Sequence, residues 1–190
     1  MENINNKYIE ASLARHKGEL EQILSLQEKN LAISISEKDM KVEGFVTLKH
    51  DLTTLEQMNQ LAPSVIIKSK DEVVGYALTM LRGCRHLVAD LEPMFAILDQ
   101  LTWNDRILNA LSYYVMGQIC IDKAYRGLGL FEKLYSFHKK IYSSTFELLV
   151  TEIATRNARS IKAHERLGFK TIHIHRDELD EWAVVAWDWS

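Results

Sequence analysis

The residues between Gly117 and Phe131 are of the types that hold a phosphate. An apolar run with strand character, Tyr113 to Ile121, passes through Asp122-Lys123-Ala124-Tyr125 into Arg126-Gly127-Leu128-Gly129. A helical pattern then begins at once with Leu130, Leu134, Phe137 and Ile141. Strand, glycine turn and helix start in that order place free main-chain N–H groups, and the positive end of a helix dipole, at one point. Gly127 and Gly129 let an anion come close to that backbone, and Arg126 adds a fixed cation suited to a pyrophosphate. The turn lacks both the Gly-Lys-Ser/Thr of a P-loop and the third glycine of a dinucleotide fingerprint, which leaves an unrelated nucleotide-binding domain as the weakest reading.

Other reactive side chains have plainer readings. Cys120 alternates with Ile119 and Ile121 and reads as a buried strand thiol. His173 and His175 fall on one strand face, but without a third ligand they read as hairpin surface, and no metal site is expected. Trp182, Trp187 and Trp189 read as core, or as the wall of an acceptor pocket at the sheet edge.

The elements that must position this turn follow from periodicity. A short helix is expected around Tyr8 to Arg15, set off by Gly18 from a second helix with Leu20, Ile23, Leu24, Gln27 and Leu31 on one face. After an apolar stretch at Gly44 to Leu48, Thr53 and Glu56 read as a capping box for a further helix ended by Pro63. Val65 to Ser69 and Val73 to Met80 read as a hairpin. Residues 82 to 112 show little period until Asp90, which reads as the cap of an inserted helix carrying Leu91, Met94, Phe95, Leu98 and Leu101, with Pro93 in its first turn. Phe146 to Ile153 forms the next strand, so strand, helix and strand make a right-handed βαβ unit. A last helix opens at Asn157 and closes at Gly168, and two strands, Phe169 to His175 and Trp182 to Trp189, end the chain.

Composition bounds the rest. With 190 residues, 47% of them hydrophobic, only two prolines and eight glycines, the chain reads as one domain over residues 1–190. The balance of 23 basic against 26 acidic residues, a formal charge of -3, argues against a nucleic-acid or membrane partner. No apolar run approaches membrane length, and the first residues lack the order of a secretory signal, so a cytoplasmic protein is expected. Cys84 and Cys120, far apart in the sequence, read as reduced thiols. Assembly as a homodimer stays open.

Taken together, Arg126-x-x-Gly129 and the segment Asn157-Ala158-Arg159-Ser160-Ile161-Lys162-Ala163-His164-Glu165-Arg166-Leu167-Gly168-Phe169, about 30 residues downstream, resemble the GNAT superfamily of N-acetyltransferases. The resemblance covers roughly the carboxy-terminal half. It implies an α/β (α+β) fold: a mixed, mainly antiparallel sheet with a central, splayed parallel strand pair and helices on both faces. It also implies acetyl-coenzyme A as cosubstrate and an amine as acceptor. Arg126, Gly127, Leu128, Gly129, Leu130 and Phe131 would hold its pyrophosphate, and Asn157 would line the thioester end. Backbone N–H groups around Ile119 and Ile121 would face the oxyanion that develops on attack, if the neighbouring strand diverges at Gly117.

The chain departs from the family pattern in places. Phe131 stands where Gly or Ala is preferred, and Gly117-Gln118 stand where many members carry a catalytic Glu. His164 stands where many carry a Tyr that serves as general acid. Thr151 to Asn157 resembles the L-E-V-R-x-x-N segment of the ribosomal-protein amino-terminal acetyltransferases, which makes Glu152 the candidate base. An amine of pKa about 10.4 is protonated at neutral pH and cannot attack until a base takes its proton. Two readings stand for each residue: Glu152 is a base or an ion-pair partner of Arg156 or Arg159, and His164 is an acid or a packed or solvent-facing side chain. The missing family groups also leave open a domain that binds acyl-coenzyme A as a sensor or scaffold without turnover.

Overall fold

Alternation and amphipathic period sort the chain into one seven-stranded sheet with helices on both faces. The computed structural model describes residues 8–31, 46 and 48–190. Strand β1 spans Ile9–Leu13, and helix α1 spans Lys17–Asn30. Helix α2 (Leu52–Leu61) precedes the hairpin of β2 (Val65–Ser69) and β3 (Glu72–Met80). Helix α3 (Glu92–Leu98) and a small hairpin of β4 (Thr102–Trp103) and β5 (Arg106–Ile107) lead to β6 (Tyr113–Ile121). Helix α4 (Leu130–Tyr142) crosses to β7 (Leu148–Ala154), followed by α5 (Ala158–Leu167), β8 (Lys170–Arg176) and β9 (Glu181–Asp188). The sheet order is β1-β2-β3-β6-β7-β9-β8, antiparallel except for β6 beside β7. This is the mixed, mainly antiparallel sheet that the resemblance implies.

Each face of the sheet buries its own cluster. Leu20, Ile23 and Leu26 of α1, Leu55 and Met58 of α2 and Phe95 of α3 pack on Val115, Leu148 and Val150. On the other face Leu130, Leu134 and Tyr135 of α4 pack on Tyr114, Met116, Leu149 and Ile153. Burying a side chain of this size contributes about 1.5–3 kcal/mol, so both clusters hold the sheet from either side.

The feature that builds a site is local failure of the sheet. Parallel pairing joins only Tyr113–Val115 to Leu148–Val150. Beyond Val115 the partner of Ala77 is Ile119 while that of Thr79 is Met116, so β6 carries an extra residue at Gly117-Gln118. A bulge of this kind bends its strand. β6 therefore turns from β7, and the Thr151 hydroxyl bridges to the Met116 carbonyl at 2.9 Å where main-chain pairing stops.

Several expected elements are corrected. Tyr8 to Arg15 is not a helix: Ile9–Leu13 pairs antiparallel with β2, because Ile9, Ala11 and Leu13 share one face toward the second cluster. Gly18 lies within the first turn of α1, which Glu19 stabilises by accepting the Arg15 and His16 N–H groups at 2.8 and 3.1 Å. The cap of α2 is Asp51, not Thr53, with Thr54 N–H donating to Asp51 Oδ1 at 2.8 Å. The inserted helix is shorter than expected, begins after Leu91 and stops at Leu98; the Asp90 side chain lies outside the described residues. So does most of the stretch from Gly44 to Leu48, where Val46 forms a parallel bridge with Leu31. Asp51→Ala should lower stability by about 1 kcal/mol and the melting temperature by about 2–4 °C; thermal denaturation followed by circular dichroism measures it, and an unchanged midpoint would remove Asp51 as a working cap.

Candidate active site

The turn after β6 is held by its own side chains. Asp122 Oδ1 accepts the Ala124 N–H at 2.9 Å and so closes a single 3₁₀ turn at Lys123–Tyr125. Gly127 and Gly129 follow with φ of +80° and +73°, a left-handed conformation that costs other residues roughly 1–2 kcal/mol. Gly129 is the N-cap of α4 and offers no side chain to the helix. The N–H groups of Leu130, Phe131 and Glu132 consequently have no intrahelical acceptor. A Cβ placed on Gly129 would meet nothing within 4 Å, so the loop stands open where an anion would approach. Arg126 is anchored beside it, with Nε donating to the Ile121 carbonyl at 3.1 Å and a terminal nitrogen to Asn30 Oδ1 at 2.7 Å.

A cleft of about 640 Å³ runs from this turn to the splay and is lined by Ile119, Ile121, Arg126, Gly127, Gly129, Leu130, Phe131 and Asn157. Leu128 does not line it and is 39% exposed, so of the expected loop residues it alone turns away. The Asp122 N–H donates to Val74 on β3 at 2.9 Å. By strand alternation Cys120 faces β3 as well, and the N–H groups of Ile119 and Ile121 face the open side. The Asn157 side chain caps α5 through the Ser160 N–H at 3.2 Å and borders both this cleft and a second one.

That second cavity, of about 610 Å³, shares Ile119, Asn157 and Ser160 with the first and is lined further by Gln118, Glu152, His164, His175 and the apolar side chains of α3. Glu152 stands on β7 opposite Val184, and its Oε1 lies 2.7 Å from His175 Nε2. An ionised carboxylate only accepts, so the ring donates Nε2–H to it. Burial raises the Glu152 pKa above the ordinary carboxylate value, while the His175 hydrogen bond pulls it back. Glu152 pairs with His175, and Arg156 pairs with Asp180. His175 is thus the residue missed in the sequence. The alternation that put it beside His173 was visible, but the neighbour that turns it toward Glu152 was not.

His164 is buried, 1% exposed, between Phe131 and Phe169, whose rings meet it edge-on with centroids 5.0 Å away. Its Nδ1 lies 2.8 Å from the Ser160 carbonyl, which can only accept, so the proton sits on Nδ1. Nε2 then accepts from the Tyr135 hydroxyl at 2.5 Å. Burial holds the pKa down to about 4, so the ring is neutral. The one ring proton is bound to the Ser160 carbonyl and Nε2 is occupied by the Tyr135 hydroxyl, an arrangement that favours the packed reading of His164 over the acid. The two departures at 131 and 164 touch: a larger ring at one stands against a smaller ring at the other.

Gln118, in the bulge, is also engaged. Its Oε1 accepts from Gln27 Nε2 at 2.7 Å and from the Tyr76 hydroxyl at 2.6 Å, and its Nε2 donates to the Leu48 carbonyl at 2.9 Å. This buried network, which fixes the bulged strand to α1, could not be read from spacing, since its members lie far apart in the chain.

A sheet splayed at a parallel pair, with a glycine turn and an uncapped helix at one side of the gap, is the arrangement that the resemblance implies. The family model described as Acetyltransferase (GNAT) family matches residues 32–169, and the chain belongs to that family. No curated protein matches it in sequence. Its fold is similar to that of the ribosomal-protein-S18-alanine N-acetyltransferase from Escherichia coli, with TM-score 0.64, 15% identity, and coverage of 96% of this chain and 94% of that one. yncA of Salmonella typhimurium, solved with its cofactor acetyl-CoA, gives 0.63 at 16% identity, covering 97% and 95%. Arabidopsis thaliana Naa50, in complex with the bisubstrate analogue CoA-Ac-MVNAL, gives 0.61 at 14%, covering 95% and 99%.

Proposed function

We propose that this chain is a single acyltransferase domain that moves an acetyl group from acetyl-coenzyme A to a primary amine, of a small molecule or a peptide, by direct attack. The observation that carries this reading is the meeting of two cavities at the splay, one ending in unpartnered helix amides and the other in a half-buried carboxylate. Acetyl-coenzyme A supplies an activated acyl carbon as its thioester. The amides of Gly127 to Phe131 bind its diphosphate, with Arg126 beside them. Glu152, oriented by His175, takes the ammonium proton directly or through one water. The outward N–H groups of Ile119 and Ile121 face the negative charge that develops on the acyl oxygen. His164 positions Phe131 and the start of α4, and the thiolate leaves unassisted, as a thiol of pKa about 8.5 is able to do.

Acetyl-coenzyme A at about 100 times its Kd should stabilise the protein by about 2.7 kcal/mol, a rise of roughly 5–10 °C for a chain of this size. Gly129→Val should abolish that rise and should itself lower the unliganded midpoint by roughly 2–8 °C, since a β-branched residue resists φ near +73° at a cost of about 1–2 kcal/mol. A retained shift in the valine variant would place the cofactor elsewhere. Thiol release measured across amines, polyamines, amino acids and peptides then tests transfer. A shift with no release above hydrolysis would favour the sensor or scaffold reading.

A further inference from the structure

We propose that Gln118, at the place where many members of the family carry a catalytic Glu, is a positioning residue that fixes the Ile119 N–H toward the reacting acyl oxygen; this rests on the transferase reading above. Around Gln118 the sheet does little to hold the chain. Pairing with β3 passes from Ile119 opposite Ala77 to Met116 opposite Thr79, and pairing with β7 ends at Val115 opposite Val150, so among the described residues neither Gly117 nor Gln118 has a paired residue on either side. The Ile119 N–H belongs to the peptide that Gln118 begins. A peptide plane without ladder bonds on its first residue is free to turn unless a side chain holds it.

The Gln118 side chain is 8% exposed and is gripped from three directions. Its Oε1 takes bonds from Gln27 of α1 and Tyr76 of β3, and its Nε2 reaches the Leu48 carbonyl that precedes α2. The orientation of each amide follows from its neighbours. Gln27 Oε1 accepts the His50 main-chain N–H at 2.8 Å, so Gln27 must present its Nε2 to Gln118. Gln118 must then answer with its oxygen and give its NH₂ to Leu48, whose carbonyl only accepts. An ionised carboxylate would set one of its oxygens against that carbonyl, and a protonated one could donate to it but could not take a proton from an amine. The position is therefore built for an amide and does not serve as a base, while Glu152 on β7 holds the half-buried carboxylate of the site. A donor to a developing oxyanion acts only if it is fixed before the reaction, which gives the network a task beyond packing.

The test is kcat and KM for acetyl-coenzyme A by thiol release, with water and with the fastest amine of the panel above as acceptors, each rate divided by the fraction of protein that binds acetyl-coenzyme A. Gln118→Leu keeps the bulk and removes all three bonds. Its kcat should fall by about 10²-fold, the loss that a misplacement of about 1 Å brings. The fall should be alike for both acceptors, since the oxyanion forms whichever nucleophile attacks, while KM and the thermal shift from acetyl-coenzyme A are kept. Tyr76→Phe keeps the ring, removes one of the two donors to Oε1 and should give a smaller loss of the same kind. Gln118→Glu added to Glu152→Gln should leave turnover at the level of Glu152→Gln alone. An unchanged kcat in the leucine variant, or in Tyr76→Phe where the leucine variant does not fold, would make the network purely structural and overturn the proposal. Loss of the acetyl-coenzyme A shift in the variant that folds, or turnover restored by Gln118→Glu, would overturn it as well. If the wild type releases no thiol above uncatalysed hydrolysis although acetyl-coenzyme A raises its melting temperature, the transferase reading itself fails and takes this one with it.

Discussion

Glu152→Gln is expected to lower kcat by about 10²–10⁴-fold at pH 7 with an unchanged thermal shift from acetyl-coenzyme A, the usual loss when a general base is removed. The amide keeps the shape of the carboxyl, and its oxygen still accepts the His175 N–H, so fold and cofactor cleft are undisturbed. What is lost is the capacity to take a proton. The wild-type rate should rise with pH through the Glu152 pKa, which burial sets above the ordinary carboxylate value, with His175 opposing that rise and the Asp177 charge adding to it. The variant should lack that limb, and its deficit should shrink toward pH 9 as more amine is free without help. His164, neutral throughout this range, should add no alkaline limb near neutrality. Turnover near wild type for the glutamine variant at pH 7 would transfer the role to solvent or another group.

Acid should unfold this protein well above the pH at which carboxylates titrate. Burial holds His50, His138 and His164 each at about 4, whereas the unfolded chain takes up these protons near 6.5. The folded state therefore binds fewer protons between those values, and stability present above pH 6.5 is lost as pH falls toward 4. Each group contributes about 1.4 kcal/mol per pH unit inside that window, so three together approach about 4 kcal/mol per unit against a total stability on the order of 5–15 kcal/mol. Glu152, raised by burial, works in the opposite direction and offsets a part. The placement of these rings explains the resistance to protonation. His138 is fully buried with its nitrogens on the Tyr114 hydroxyl and the Ala77 carbonyl, and His50 Nε2 is buried with no hydrogen-bond partner among the described residues. Urea titrations at pH 7.5, 6.0 and 5.0 measure the effect, and a stability constant across those three values would show that the rings are protonated within the fold.

What could be read from the sequence was whatever local geometry alone dictates. The glycine turn between β6 and α4 was legible because an apolar run, two glycines and a helical period follow one another without a break, and the left-handed φ at Gly127 and Gly129 is a requirement on those residues alone. The cap at Asn157 and the stop at Gly168 were legible for the same reason. Strand β1 was not, since Glu10, Ala11 and Leu13 favour a helix on their own and become a strand only because β2 offers them an edge. Nor did the sequence say where the cap of α2 lies, because Asp51 and Thr53 are both good caps and packing on the sheet selects the register. The site divides along the same line. The residue types at Glu152 and His164 and their distance in the chain were plain from the sequence. What each can do with a proton was decided by neighbours brought from elsewhere in the chain, His175 across β9 for the one and Tyr135 and Phe131 from α4 for the other. A proton's place depends on solvation and on the group at hydrogen-bond distance, and both are properties of the packed molecule; hence the glycine turn belongs to the sequence and the placing of protons beside it to the tertiary structure.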